Sequence, residues 1–127
     1  MVTWIVLVLI LYFVQIYFAG YFVLAKEGLV AHAGPRDTIP SGGLYGGRAE
    51  RALVNMKENL PFFFVPAVLA LVLTGADMQL AVIGAQMFFF ARIAYVAFYV
   101  AGVPWLRSAA YSVALLGNIL TVWALWG

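Results

Sequence analysis

Apolar residues run along this chain in long blocks, and the polar residues are gathered between them. The first block, Val2 to Ala25, carries no charge, and a hydrophilic stretch follows from Lys26 to about Glu58. A second block starts near Leu60 and ends at Thr74, where Thr74-Gly75-Ala76-Asp77 supplies a turn. The third runs from about Met78 to Ala101, and the fourth from Pro104 to Trp126 after Gly102-Val103. A membrane-crossing helix needs about 20 mostly apolar residues, so the pattern predicts four spans. Nothing between Arg48 and Leu60 breaks a helix, so the second helix is expected to reach back to about Arg48, beyond the membrane. Pro61 and Pro66 are expected to bend it, because each removes a backbone donor and crowds the preceding turn. The predicted fold is an all-α membrane protein. It is an up-down-up-down four-helix transmembrane bundle, one domain over residues 1–127, with two short connections and a long one.

Composition narrows the function classes. Hydrophobic residues make up 66% of the chain and charged residues 9%, against about 25% charged in a soluble domain. That excludes a soluble or disordered chain, and a net charge of +2 is too small for a nucleic-acid footprint. No cysteine is present, which removes disulfides, thiolate metal sites and a cysteine nucleophile. The first block is read as a retained helix and not as a cleaved signal, because no Lys or Arg precedes it and it is far longer than a signal core. Five of the seven Lys and Arg residues lie between Lys26 and Lys57, and Arg107 opens the fourth span. The positive-inside rule then places loop 26–58 in the cytoplasm and both termini on the opposite side.

Within that loop, Gly42, Gly43, Gly46 and Gly47 read as a flexible connector; no Lys-Ser or Lys-Thr pair follows to make a phosphate cradle. His32 stands without a second His or any Cys, so no metal site is expected. Roles for His32, Arg36 and Asp37 are left open.

Ionisable groups at membrane depth mark functional sites by default. Arg51, Asn55 and Glu58 are spaced four and three apart and share one helix face, with Arg48 one turn earlier. Such a stripe either binds a zwitterion, Arg gripping a carboxylate and Glu an ammonium, or forms an internal salt-bridged face. Glu50 and Lys57 point elsewhere, toward solvent or headgroups. Arg92, Tyr95 and Tyr99 form a second stripe. Arg92 lies about 13–14 Å from the cytoplasmic end of its span at 1.5 Å per residue, too deep to snorkel. It should face protein, with Glu58 as its counter-ion. Tyr95 and Tyr99 are either interface-belt aromatics or hydroxyls aimed into a site. Gln15, Gln86 and Asn118 read as interhelical hydrogen-bond glue.

At this point a resemblance enters. The segment ERALVNMKENLPFF (50–63) resembles the signature of the membrane-associated proteins in eicosanoid and glutathione metabolism, the MAPEG family, with Arg51, Asn55, Glu58 and Pro61 at the matching positions. The segment ARIAYVAFYVAGVPWLRS (91–108) resembles the family's second block, an Arg followed by aromatic or His residues and then an Arg opening the last helix, here Arg107. Its Arg107-Ser108 pair is similar to the prostaglandin E synthases of the family. The chain as a whole resembles a bacterial-type, microsomal glutathione transferase-like member.

The resemblance implies a homotrimer in membrane lipid that binds glutathione as co-substrate between neighbouring subunits on the cytosolic side, with no metal. Arg51, Asn55, Glu58, Tyr95 and Tyr99 would hold the peptide, with Arg48 beside them. Lys26 would stand where relatives carry a carboxylate-binding base late in the first helix, without the bidentate fork of Arg. Arg107 would favour the thiolate. Tyr95 occupies a position where several catalytic relatives have His. The implied activity is a transferase or peroxidase acting on lipophilic electrophiles or lipid hydroperoxides. The alternative is a non-catalytic MAPEG-like lipid-binding or scaffold protein. A small cation exporter fits poorly, since it needs an embedded carboxylate and the first span has none.

Overall fold

A computed structural model describes residues 1–35 and 42–127 of the chain; Arg36, Asp37 and Ser41 lie outside the described residues. The architecture is all-helical: α1 (Val2–Ala33), α2 (Gly43–Val72), α3 (Met78–Ala101) and α4 (Pro104–Trp123), closed by a short 3₁₀ turn, Ala124–Trp126. Among the described residues, three stretches are long and apolar enough to cross a membrane: Val2–Val30, Met78–Ala101 and Pro104–Trp126. α2 is not among them, because its first half carries Arg48, Glu50, Arg51, Lys57 and Glu58 and leaves too short an apolar remainder.

The first two helices depart from the expected bounds. α1 does not stop at Ala25, since Lys26 and Glu27 are good helix formers. It breaks at Gly28, whose φ of 84° and ψ of 174° are open only to glycine at low cost. A straight helix would put His32 roughly 18 Å from Gly20. Instead a Cβ built on Gly20 would lie 3.0 Å from the His32 ring, so the chain doubles back after the kink. α2 starts five residues before Arg48, and three of the glycines expected in a flexible connector form its first turns. They serve close packing: a Cβ on Gly46 would come within 2.8 Å of Phe22 Cβ. The helix continues through Pro61 and Pro66 to Val72.

α3 is capped at its start by Asp77, whose carboxylate accepts from Leu80 N at 3.0 Å. It ends at Gly102 in the left-handed conformation, φ 76°. Pro104 pre-sets the first turn of α4, where its missing N–H costs nothing.

α3 and α4 meet backbone to backbone. A Cβ on Gly84 would strike Gly117 O and Thr121, so only glycine fits. Small residues are the usual contact between membrane helices, where lipid supplies no hydrophobic drive. Thr121 Oγ1 donates to Gly117 O at 2.9 Å, satisfying itself within α4. α2 crosses α3 through stacked rings of Phe63 and Phe88, centroids 4.6 Å apart. Val8, Met56, Ala67, Ala85 and Ala114 complete that core.

Gln15 is buried with both amide atoms unpartnered, and Asn118 is buried with Oδ1 unpartnered. Gln15 and Asn118 do not act as the expected polar glue through these atoms.

Candidate functional site

Arg92 organises the region where α2, α3 and α4 converge. Its side chain is fully buried. Nη1 donates to Asn55 Oδ1 at 2.7 Å, and the guanidinium lies 4.3 Å from the Tyr95 ring centroid. Nε and Nη2 have no partner. The expected Arg92–Glu58 ion pair is therefore not formed. Glu58 is exposed, and α2 turns it about 60° away from Asn55 at 100° per residue. The short amide of Asn55 occupies the position against Arg92 instead. Arginine can only donate, so the atom facing it must be the amide oxygen. Asn55 Nδ2 is thereby turned outward. Asn59 braces the arrangement from one turn on, donating to Asn55 O at 2.8 Å and reaching Oδ1 at 3.4 Å.

Beside this bond lies a polar cleft of about 410 Å³. Asn55 of α2, Tyr95 and Tyr99 of α3, and Arg107, Ser108, Tyr111 and Ser112 of α4 line it. The aromatic wall is continuous. Tyr95 meets Tyr99 edge to face at 5.6 Å and Tyr111 at 6.3 Å, and the Arg107 guanidinium sits 4.8 Å from the Tyr99 centroid. Cations over aromatic faces keep their charge while partly desolvated. A smaller recess of about 240 Å³ adjoins the cleft, sharing Tyr99 and Arg107 and adding Arg48 and Arg51. Arg48 Nη1 donates to Val100 O at 3.1 Å. Its guanidinium also fills the space a Cβ at Gly102 would need.

Of the residues singled out in the sequence, Asn55, Tyr95, Tyr99 and Arg107 share the cleft, and Arg48 and Arg51 stand at its rim. Glu58 and Lys26 line neither; Lys26, on α1, is exposed beside the start of α2, its Cδ 3.5 Å from where a Gly43 Cβ would be. Tyr111 and Ser112 are additions that the sequence reading passed over. The available signal was spacing, since Tyr111 follows Arg107, and Ser112 follows Ser108, by one turn. The first turn of α4 carries the positive end of a helix dipole to the same place. The ensemble is cationic and rich in hydroxyl and N–H donors, suited to an anionic ligand with several acceptor groups.

An apolar groove of about 720 Å³ runs from Asn59 and Phe62 along α4 to Trp126. Tyr111 lines both this groove and the polar cleft. A polar compartment thus adjoins an apolar one.

No curated protein matches the chain. The MAPEG family model, by contrast, matches residues 1–127, a range that takes in all four helices and every residue of the cleft, and the chain belongs to the MAPEG family.

Proposed function

We propose that this protein is a membrane-embedded, glutathione-dependent transferase or peroxidase of the bacterial, microsomal glutathione transferase-like type. MAPEG membership provides the class, since the family includes such enzymes beside other members. The observation that carries the reading is the shared wall at Tyr111, which joins a cationic cleft to an apolar groove. Glutathione has two carboxylates, an ammonium and a thiol whose unperturbed pKa is about 8.5. In this reading Arg48 and Arg51 take a carboxylate at the rim, and Asn55 Nδ2, Tyr95 and Tyr99 take peptide acceptors. Glu58 and Lys26, exposed on this subunit, contribute across a subunit boundary in a homotrimer. Arg107 and the α4 dipole favour the thiolate. The sulfur attacks an electrophile in the groove, forming the thioether as the leaving group departs with its electron pair. The helices alternate up and down, with loop 26–58 cytoplasmic and both termini opposite.

Calorimetric titration of the detergent-purified protein with glutathione tests the proposal, followed by ultraviolet absorption of the bound thiolate. Arg107→Ala should retain binding, lose the thiolate signal, and lose most conjugation of a generic aryl halide at neutral pH. Arg51→Ala should fail mainly in binding. If the wild-type protein takes up no glutathione, the lipid-binding or scaffold reading replaces this one.

A further inference from the structure

Of the buried side-chain polar atoms in residues lining the apolar groove, one is left without a partner. Asn59 is satisfied by Asn55, and Thr121, just behind the groove, by Gly117. Asn118 is 4% exposed, lines the groove, and has an unpartnered Oδ1. A buried amide without a partner in an apolar setting is costly. Asn118 lies two turns from Tyr111 on the groove side of α4, roughly 10 Å along the helix.

Building on the transferase reading, we propose that Asn118 determines specificity in the groove. It selects an elongated lipophilic substrate that carries a hydroxyl roughly 10 Å beyond the atom that reacts near Tyr111. A hydroxyl is the group that fits, because it both donates and accepts. It pairs with Asn118 whichever edge of the amide turns toward the groove. A plain hydrocarbon chain of a bilayer lipid leaves the amide unmatched. The apolar Leu115 and Val122 on either side accept the rest of the chain.

The test uses the full chain in detergent micelles, with Trp4→Phe and Trp105→Phe introduced so that fluorescence comes only from Trp123 and Trp126, both in the groove. Quenching by a long-chain bromoalkanol is compared with quenching by the bromoalkane of equal length, at matched mole fraction. The alcohol should bind roughly three- to tenfold more tightly, the range for one neutral hydrogen bond. Asn118→Leu should erase the difference by weakening the alcohol alone. Should Asn118→Leu fail to fold, Asn118→Ala and the unsubstituted ranking of the two probes carry the test. Equal binding of both probes before substitution overturns the proposal, as does a preference that survives in the variant. A variant that falls apart in sedimentation while its preference is unchanged makes Asn118 a subunit contact, and also overturns it. The probes need no glutathione, so loss of the preference in a protein that ignores glutathione would support the groove assignment and refute the transferase.

Discussion

Replacing Asn55 by Ala removes the one hydrogen bond that Arg92 makes. The acceptor faces a full charge, and such bonds contribute about 1.5–3 kcal/mol. Arg92 cannot escape to water, since it is fully buried, and the Tyr95 face becomes its main remaining contact. At roughly 4 °C per kcal/mol for a chain of this size, the melting temperature in detergent should fall by about 6–12 °C. Asn55→Asp should fall much less, because it keeps an acceptor and adds a counter-charge. Glu58→Gln should stay within about 1 °C of the parent, as expected for an exposed side chain away from special contacts. Differential scanning fluorimetry of the three variants at equal detergent and lipid is sufficient. A Glu58→Gln loss as large as that of Asn55→Ala would refute the assignment and restore the ion pair read from spacing. An unchanged Asn55→Ala would mean that Tyr95 alone satisfies the cation.

Gly84→Ala should cost about 1–3 kcal/mol by overpacking, because its Cβ would meet Gly117 O and Thr121; thermal unfolding reads this directly. Gly102→Ala should lower stability by about 1 kcal/mol or more through its positive φ and should also displace Arg48, so its glutathione titration should weaken along with its melting temperature. A cysteine at position 41 should react in intact cells only with membrane-permeant reagents; labelling by an impermeant reagent would reverse the proposed orientation.

Much of this was legible in the sequence where local chemistry decides. Asp77, Gly102 and Pro104 mark the start of α3, its end and the start of α4 through capping and fixed φ. The shared faces of Arg51 with Asn55, and of Arg92 with Tyr95 and Tyr99, follow from helical period alone. What failed depended on a partner across space. Whether Asn55 or Glu58 meets Arg92 turns on about 60° of helix rotation, which spacing on one helix does not resolve. The glycines at 43, 46 and 47 look like a loop until Phe22 is placed against Gly46. The doubling back of α1 is set by the single conformation of Gly28, and an isolated glycine in a polar stretch carries no such message. Tyr111 belongs to neither polar stripe that spacing picks out, and only the packing of α4 against α3 brings it beside Tyr95.

The glycine contact between α3 and α4 bears on how the cleft can open. With backbone against backbone at Gly84 and Gly117, no side-chain layer separates these helices at that level, which favours their acting as one unit. That unit carries Tyr95, Tyr99, Arg107, Ser108, Tyr111 and Ser112, while Asn55 on the opposite wall belongs to α2. The width of the cleft is therefore one coordinate, the separation of α2 from the α3–α4 pair. Two long-range bonds span that gap, Arg48 to Val100 near the rim and Arg92 to Asn55 at depth. At the outer bond Arg48 is partly exposed, whereas at the inner one Arg92 is fully buried. A jaw held by these two bonds would open first at its mouth and pivot on the buried Arg92.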